Sequence, residues 1–173
     1  YELAVIIREG IRQMIEEQQD IFYYITVMNE SYQQPAMPQG VEDGIIKGMY
    51  LLEEDNKEAA HHVQLLGSGT ILREVREAAK ILRDEYNIGA DVWSVTSFNE
   101  LRRDGLAVER RNRLHPGQKP QQTYIEQCLS GRKGPVIAST DYMKLFAEQV
   151  RQWVPSKEYK VPVSYTHLRA HET

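Results

Sequence analysis

The chain has 173 residues, enough for one well-packed domain or for one domain with part of a second. Its formal net charge of −4 provides no global basic field that would attract nucleic acid or an anionic membrane. No apolar run approaches the roughly 20 residues that a membrane-spanning helix needs, and the composition is typical of a soluble globular protein.

A single cysteine, Cys128, excludes an internal disulfide framework and is consistent with a reducing cytoplasm. It lies in a predicted short helix, where a buried structural thiol is favoured over a nucleophile. The chain begins at Tyr1 without an initiator methionine or a signal-like leader, so we expect a cytoplasmic protein of which this chain is a fragment.

The first forty residues predict a helix, a strand and a linker. Ile7, Ile11 and Met14 recur at helical spacing, which predicts an amphipathic helix over residues 3–17. Residues 21–28, "IFYYITVM", are rich in β-branched and aromatic types and predict a buried strand. Two prolines and a glycine predict a loop or interdomain linker over residues 29–40.

Residues 41–62 predict a helix followed by a charged surface loop. The helix is expected over residues 41–52. Its Gly44 and Gly48 lie one turn apart and favour close packing against a neighbouring element. Residues 53–62, "EEDNKEAAHH", predict the exposed loop.

From Val63 onward, short apolar strands alternate with amphipathic helices. Strands are predicted at residues 63–67, 90–95, 134–139 and 158–161, and helices at residues 71–86, from about Asn99, around Cys128 and at residues 142–153. The last helix is expected to be capped by Thr140 and Asp141 and to bury Met143, Phe146, Ala147, Val150 and Trp153. This alternation predicts an α/β fold with an open, mostly parallel sheet and right-handed crossovers.

The glycine turn after the strand at residues 63–67 is a candidate phosphate site. Gly67-Ser68-Gly69 opens a helix whose free N–H groups can attract an anion. A dinucleotide fingerprint, however, needs a third glycine where Leu72 stands, and the next strand ends "WSVTS" without the expected acidic residue. A structural turn is therefore favoured, and a nucleotide-binding oxidoreductase built on the Gly67 turn stays as an alternative.

The histidines offer little chemistry. His61 and His62 lie beside Glu53, Glu54 and Asp55, but adjacent histidines in a strand point to opposite sides and no fixed ligand spacing is present. A solvated loop is favoured over a metal site there. His115 has no identifiable acid or nucleophile partner, and no Ser-His-Asp or Cys-His set can be assembled.

Five arginines are concentrated in the stretch "RRDGLAVERRNR". They are Arg102, Arg103, Arg110, Arg111 and Arg113, interrupted by Asp104 and Glu109. A salt-bridged surface is the favoured interpretation. The alternative is a non-enzymatic interaction module, in which the arginines bind a carboxylate or phosphate of a partner.

Four longer strings resemble one enzyme family closely. They are "YYITVMNESYQQPAMPQGVEDGIIKGMYLL", "VQLLGSGTILREVREAAKIL", "DVWSVTSFNELRRDGLAVERRNRLHP" and "GPVIASTDYMKLFAEQVRQWVP". They resemble the bacterial homodimeric pyruvate dehydrogenases, the decarboxylating first component of the pyruvate dehydrogenase complex. The resemblance runs from Tyr1 to about Val161.

The resemblance implies a transketolase-like enzyme that uses thiamine diphosphate and magnesium. Such enzymes decarboxylate pyruvate and transfer the two-carbon unit to a lipoyl group of the acetyltransferase component, and the subunit forms a homodimer. By position in the family, residues 1–38 correspond to the end of the middle, pyrimidine-binding domain. Residues 39–161 correspond to the first part of the carboxyl-terminal domain, which supports dimer packing.

The family's functional residues do not map onto this chain. Its diphosphate and metal site uses a G-D-G…N motif, which is absent, and "RDG" at residues 103–105 is no substitute. The activating glutamate and the catalytic histidines belong to earlier parts of the family's sequence. We therefore expect no catalytic, cofactor-binding or metal-binding residue here, no bound cofactor and no activity of the chain alone.

Three departures from the family pattern stand out. The loop at residues 53–62 is poorly matched, and Arg111 stands where an aromatic residue is usual, which puts the local packing in doubt. Residues 162–173, beyond Val161, resemble translated adaptor sequence, and we expect them to be a non-native tail.

Overall fold

A computed structural model describes residues 1–27, 31, 33–56 and 59–162 of the chain. The predicted non-native tail therefore lies almost wholly outside the described residues. Within the described part, no helix is both long and apolar enough to cross a membrane.

The N-terminal part of the chain is helical and packs against one edge of the sheet. Helix α1 (Glu2–Ile11) continues into a π-helical turn (Arg12–Glu16), and helix α2 (Glu42–Lys47) follows after an irregular stretch. Val5 of α1, Ile45 of α2 and Tyr50 form a small buried cluster. The Glu2 carboxylate accepts hydrogen bonds from the Tyr50 hydroxyl at 2.7 Å and the Ser94 hydroxyl at 2.6 Å. These contacts attach α1 to the rest of the chain.

Five strands form one open sheet in the order β1-β3-β2-β4-β5. The strands are β1 (Tyr50–Glu53), β2 (His61–Ser68), β3 (Ile88–Ser94), β4 (Val136–Thr140) and β5 (Tyr159–Lys160). The pairs β2–β3, β2–β4 and β4–β5 are parallel, and only the edge strand β1 runs antiparallel to its neighbour. The predicted open, mostly parallel sheet is confirmed.

The helices cover both faces of this sheet. They are α3 (Ile71–Glu85), α4 (Phe98–Leu114), α5 (Tyr124–Leu129) and α6 (Leu145–Glu148), the last followed by a 3₁₀ turn (Arg151–Trp153). Successive strand residues point to opposite faces. Val63 and Leu65 accordingly pack with the buried face of α3, whereas Leu66 joins the core beneath α4, α5 and α6.

The predicted strand at residues 21–28 is wrong for the part that the structure describes. Residues 21–27 have no regular secondary structure, and Phe22 and Tyr24 are 87% and 86% exposed. A strand needs a neighbour for its backbone N–H and C=O groups. Neither β1 nor β5, the two edge strands, pairs with this stretch.

The predicted helix at residues 41–52 is also wrong in its second half. Gly48 adopts a left-handed conformation with φ of +106°, which ends α2. The chain then turns into β1, which the sequence pattern did not predict. Gly44 does pack closely, since a Cβ there would lie 2.8 Å from the Tyr50 Cβ.

Two amphipathic patterns are only partly correct. The helix predicted at residues 3–17 is present, but Ile7 and Ile11 of its expected buried stripe are 44% and 51% exposed. The helix predicted at residues 142–153 is reduced to α6 and the 3₁₀ turn, and Met143 is 66% exposed. The apolar spacing identified the helical segments but did not predict which face of each helix is buried against the rest of the chain.

The edge strand β5 is shorter than β4, the strand with which it pairs. Val136 pairs with Tyr159 and Ile137 with Lys160, where β5 ends. Strand β4 continues to Thr140 and remains paired with β2 on its other side. In the described residues, the outer edge of β4 is therefore covered along only part of its length.

Helix α4 lies close to the sheet core because it has no side chain at Gly105. A Cβ at this position would lie 2.5 Å from the Trp153 ring. We expect Gly105→Ala to lower the free energy of unfolding by about 1–2 kcal/mol, because overpacking typically costs about 1–3 kcal/mol and exceeds the gain of up to about 1 kcal/mol from removing a helical glycine. Urea denaturation followed by circular dichroism measures the change.

Gly117→Ala is the matched control for this substitution. A Cβ at Gly117 would meet nothing within 4 Å. Its unfolding free energy should stay within about 0.5 kcal/mol of the unsubstituted chain. Equal effects of the two substitutions would contradict the packing argument.

Candidate functional site

The carboxyl edge of the sheet contains the position at which an α/β sheet usually binds its ligand. Strand β2 is followed in the chain by β3 on one side, whereas β4 pairs on its other side. The connections therefore leave in opposite directions at the ends of β2 and β4, which is the switch point of such sheets. The predicted glycine turn lies at this point.

The glycines of this turn serve close packing. A Cβ at Gly67 would lie 2.9 Å from the Leu72 Cα, so the strand can approach α3 only without a side chain there. Gly69 has a φ of +69°, in the left-handed region that favours glycine. The two glycines let the chain turn from β2 directly into α3.

A carboxylate of the same chain covers the start of α3. Asp141, which follows β4, accepts hydrogen bonds through Oδ2 from the Thr70 backbone N–H at 3.3 Å and from the Thr70 hydroxyl at 3.1 Å. A Cβ at Gly69 would lie only 2.5 Å from that oxygen. Asp141 thus lies where the phosphate of a bound nucleotide would be and repels a second anion, which argues against the nucleotide-binding alternative.

This finding also corrects the predicted role of Asp141. The sequence placed it, with Thr140, as a cap of the helix at residues 142–153. The Thr140 hydroxyl does accept a hydrogen bond from the Tyr142 N–H at 3.1 Å, but α6 begins only at Leu145, after Lys144. The Asp141 carboxylate is instead directed across the switch point to the turn before α3.

The amino edge of the sheet is organised around a buried carboxylate that the sequence analysis did not single out. Asp91 of β3 is only 2% exposed. It accepts hydrogen bonds from the Asp55 N–H and the Gln64 side-chain amide, both at 2.9 Å, and its Oδ1 lies 3.3 Å from His62 Nε2. Arg132 Nη1 lies 3.4 Å from its other oxygen. A charged residue inside a buried strand must have such partners, and this is the signal that could have identified it.

Further ion pairs surround this carboxylate. Arg132 Nη1 also lies 2.6 Å from Glu54 Oε1, and its guanidinium stacks 5.5 Å from the Trp93 ring centroid. On the neighbouring side, Arg83 Nε lies 3.1 Å from Asp55 Oδ2, and Arg76 Nε donates to Glu53 Oε1 at 2.6 Å. The predicted charged surface loop at residues 53–62 is therefore wrong at Glu53, which belongs to β1, and at Asp55, whose side chain is 5% exposed, whereas Glu54 lies in an exposed loop as predicted.

The histidine pair does not form a metal site. His61 and His62 belong to β2, where His61 is exposed and His62 turns towards Asp91. In the part of the chain that the structure describes, no group of three or more His, Cys, Asp or Glu side chains is arranged to hold a metal ion. His62 packs closely against Gly89, where a Cβ would overlap the imidazole ring.

The two remaining candidates, His115 and Cys128, lie at a helix end and within a helix. His115 is exposed at the end of α4, where its backbone N–H donates to the Arg111 carbonyl and its carbonyl accepts from the Gln118 N–H, both at 3.0 Å. Cys128 is half-buried beside Tyr124, and burial raises the pKa of its thiol, so the reactive thiolate is disfavoured. That neither side chain carries catalysis stays a prediction.

The arginine cluster on α4 is less salt-bridged than the sequence predicted. Arg103 Nη1 pairs with Glu100 at 2.9 Å, and Arg111 donates to Gln118 at 2.9 Å. Arg111 Nη1 is buried without a hydrogen-bond partner among the described residues. Within the same residues, Arg102, Arg110 and Arg113 have no acidic partner within ion-pair distance.

Comparison with known proteins identifies the fold. A family model described as "Transketolase-like TK C-terminal domain" matches residues 48–162. The chain belongs to this family. A second model, "Pyruvate dehydrogenase E1 component middle domain", matches residues 1–35. The five-stranded, mostly parallel sheet is thus of the transketolase C-terminal type, as the resemblance implied.

Similar full-length proteins carry one common name. The chain is 86% identical over 161 residues to the "Pyruvate dehydrogenase E1 component" of Pseudomonas aeruginosa. Proteins of the same name from Escherichia coli K12 and Cupriavidus necator are 55% and 50% identical over 162 and 158 residues. These alignments cover 93%, 93% and 91% of the chain but about 18% of each relative. The resemblance to pyruvate dehydrogenases that the sequence predicted is therefore confirmed.

The Asp91 cluster should dominate the stability of the amino edge. We expect Asp91→Asn to lower the free energy of unfolding by about 2–4 kcal/mol, because Arg132 and His62 lose their buried anionic partner while the size of the side chain is kept. Asp84→Asn is the matched control, since Asp84 is exposed on α3, and it should change stability by less than about 0.5 kcal/mol. Chemical denaturation of both variants measures the difference, and similar small effects would contradict the role given to Asp91.

Proposed function

We propose that this chain is part of a thiamine diphosphate-dependent pyruvate dehydrogenase subunit of a bacterial cytoplasm. The whole subunit decarboxylates pyruvate and transfers the acetyl unit to the lipoyl group of the acetyltransferase component. The observation that carries this proposal is the 86% identity over 161 residues to the Pseudomonas aeruginosa protein of that name. Such identity over 93% of the chain goes far beyond what a shared fold requires.

Within that subunit, we assign residues 1–38 to the end of the middle domain and residues 39–161 to the first part of the carboxyl-terminal domain. Residues 162–173 are a non-native tail in this proposal. The outer face of α1 and of the π-helical turn after it supports the first assignment, because Leu3, Ile7, Ile11 and Ile15 are 42%, 44%, 51% and 64% exposed. An apolar row of this kind is normally covered by another element. The remainder of a middle domain would supply that cover.

The residues of this chain do not fit thiamine diphosphate or its magnesium ion. The sequence has no G-D-G motif, and the described residues include no cluster suited to a metal. At the switch point, the Asp141 carboxylate opposes a diphosphate electrostatically. We therefore assign the cofactor, the metal and all catalytic residues to other parts of the subunit, and the chain alone is inactive.

The role that remains for this domain is architectural. Its two polar networks lie at opposite edges of the sheet: ion pairs and hydrogen bonds around the buried Asp91, and the exposed contact of Asp141 with Thr70. In both, the described side chains bind one another. A rigid domain of this kind supports packing of the subunit into a homodimer. The lipoyl domain of the acetyltransferase component then meets the active site elsewhere on that dimer.

A chimeric enzyme tests the proposed function. Residues 1–161 replace the aligned segment of the Pseudomonas aeruginosa protein, and pyruvate-dependent reduction of NAD⁺ is measured in the reconstituted complex. We expect kcat/KM within about threefold of the parent, because substitutions away from special sites usually change free energies by about 0.5 kcal/mol or less.

The chimera carrying Gly105→Ala is the matched control. It should lose thermal stability while the pyruvate KM of the folded enzyme stays unchanged, because the added Cβ would meet the Trp153 ring inside the core of this domain. A chimera that folds as a dimer but does not decarboxylate pyruvate would contradict the proposal.

Calorimetry on the isolated 173-residue chain tests where the cofactor binds. Thiamine diphosphate injected with magnesium should give no heat of binding, since the residues described here offer it no site. Injection of NAD⁺ under the same conditions tests the oxidoreductase alternative and should also be flat. Tight, magnesium-dependent binding of thiamine diphosphate would show that the cofactor assignment is wrong.

A further inference from the structure

Helix α4 has a buried face and an exposed face of distinct chemistry. Its buried side contains Phe98, Leu101 and Gly105. Spacings of three and four residues place a second set on the opposite side of the helix. This set, the α4 basic face, consists of Arg102, Arg103, Leu106, Arg110, Arg113 and Leu114, all of them exposed.

The acidic residues of α4 do not neutralise this face. Asp104 accepts a hydrogen bond from the Tyr124 N–H at 2.6 Å, and Glu109 accepts one from Trp153 Nε1 at 2.9 Å. Both carboxylates therefore hold α4 to its neighbours and form no ion pair with the arginines of the face among the described residues. Only Arg103, of the six residues in the face, has an acidic partner in the described part of the chain, namely Glu100.

Helix electrostatics account for only some of these charges. Cations are stabilised by the helix macrodipole in the last turn, where Arg113 lies. Arg102 and Arg103 lie near the start of the 17-residue helix and gain nothing from it. Arg110 and Arg113 lie three positions apart, and like charges at this spacing repel by a few tenths of a kcal/mol. The arrangement is thus unfavourable for an isolated helix.

Two exposed leucines lie between the charges. Leu106 and Leu114 are 41% and 63% exposed. With the aliphatic stems of the neighbouring arginines, they form an apolar surface between the guanidinium groups. Arginine beside apolar side chains is the composition typical of protein-binding surfaces.

We propose that the α4 basic face docks an acidic helical segment of a partner protein. The face spans about 18 Å at 1.5 Å per residue, which suits one helix lying alongside it. Carboxylates of such a segment would pair with Arg102, Arg110 and Arg113, and its apolar residues would cover Leu106 and Leu114. This proposal needs only the fold of α4 and does not depend on the proposed function.

The surface favours protein over nucleic acid. Single-stranded nucleic acids bind on aromatic side chains that stack with bases, and the α4 basic face contains none. The chain as a whole carries a net charge of −4, which opposes a polyanion at longer range. A short acidic helix meets the local positive charge without approaching the remaining acidic surface.

Fluorescence anisotropy on the full 173-residue chain tests the proposal. The probe is a synthetic, labelled peptide of about 20 residues, long enough to form a helix, with glutamate and leucine at helical spacing. We expect saturable binding that weakens at least tenfold in the triple variant Arg102→Glu, Arg110→Glu, Arg113→Glu, and about threefold in Leu106→Ser. Circular dichroism checks that each variant keeps its fold.

The matched control reverses three exposed charges elsewhere, in Arg73→Glu, Lys80→Glu, Lys157→Glu. This variant has the same net charge as the α4 variant and should change affinity by less than about threefold at physiological salt, where screening acts within about 8 Å. An equal loss in both variants would overturn the proposal, as would absence of peptide binding. Tighter binding of a single-stranded oligonucleotide that the α4 variant abolishes would assign the face to nucleic acid instead.

Discussion

The buried carboxylate of Asp91 is the constraint on which the amino edge of the sheet depends. An unpaired charge at this depth would be strongly unfavourable, so every nearby group is arranged to compensate it. Gln64 donates to it from β2, the Asp55 backbone from the connection after β1, and Arg132 from the turn before β4. Three segments distant in the sequence are therefore fixed by one side chain.

Gln64 extends this network into the core. Its amide nitrogen donates to Asp91 and to the Lys133 carbonyl, while its oxygen accepts from Trp93 Nε1 at 2.9 Å. A polar side chain that is 1% exposed is thus satisfied on both sides. Since Trp93 belongs to the main apolar cluster, the polar network and the hydrophobic core are held in register by the same residue.

The two edges of the sheet solve the same electrostatic problem in opposite ways. At the amino edge, Arg132, His62 and the Gln64 amide surround a buried carboxylate. At the carboxyl edge, the Asp141 carboxylate accepts hydrogen bonds from the N–H and the hydroxyl of Thr70, in the turn before α3. In the described residues, the carboxylates of Asp91 and Asp141 are thus both engaged by groups of this chain.

Much of the central architecture could be predicted from the sequence. Strands β2, β3 and β4 and helices α3, α4 and α5 have local patterns that agree with their surroundings. The errors occurred where tertiary contacts decide whether a segment forms a strand or a helix. Residues 21–27 have strand-like composition but no neighbouring strand, and β1 exists because Gly48 ends the preceding helix and β3 offers a partner.

The candidate sites show the same limit. The lack of a third glycine at Leu72 favoured a structural turn at Gly67, and the close packing of Gly67 against Leu72 is consistent with one. No local pattern could show that Asp141, more than seventy residues later, would lie against Thr70. The pairing of Asp104 and Glu109 with Tyr124 and Trp153 was equally invisible, and it leaves the α4 arginines without the partners that the spacing suggested.

The partly covered edge of β4 has a consequence for the chain in solution. Among the described residues, Ala138, Ser139 and Thr140 pair with β2 and lie beyond the end of the β5 ladder at Ile137. Backbone groups on the unpaired side of a strand are a template for an extended peptide that reaches them. In the part of the chain that the structure describes, the end of β5 at Lys160 therefore sets where such a template begins on β4.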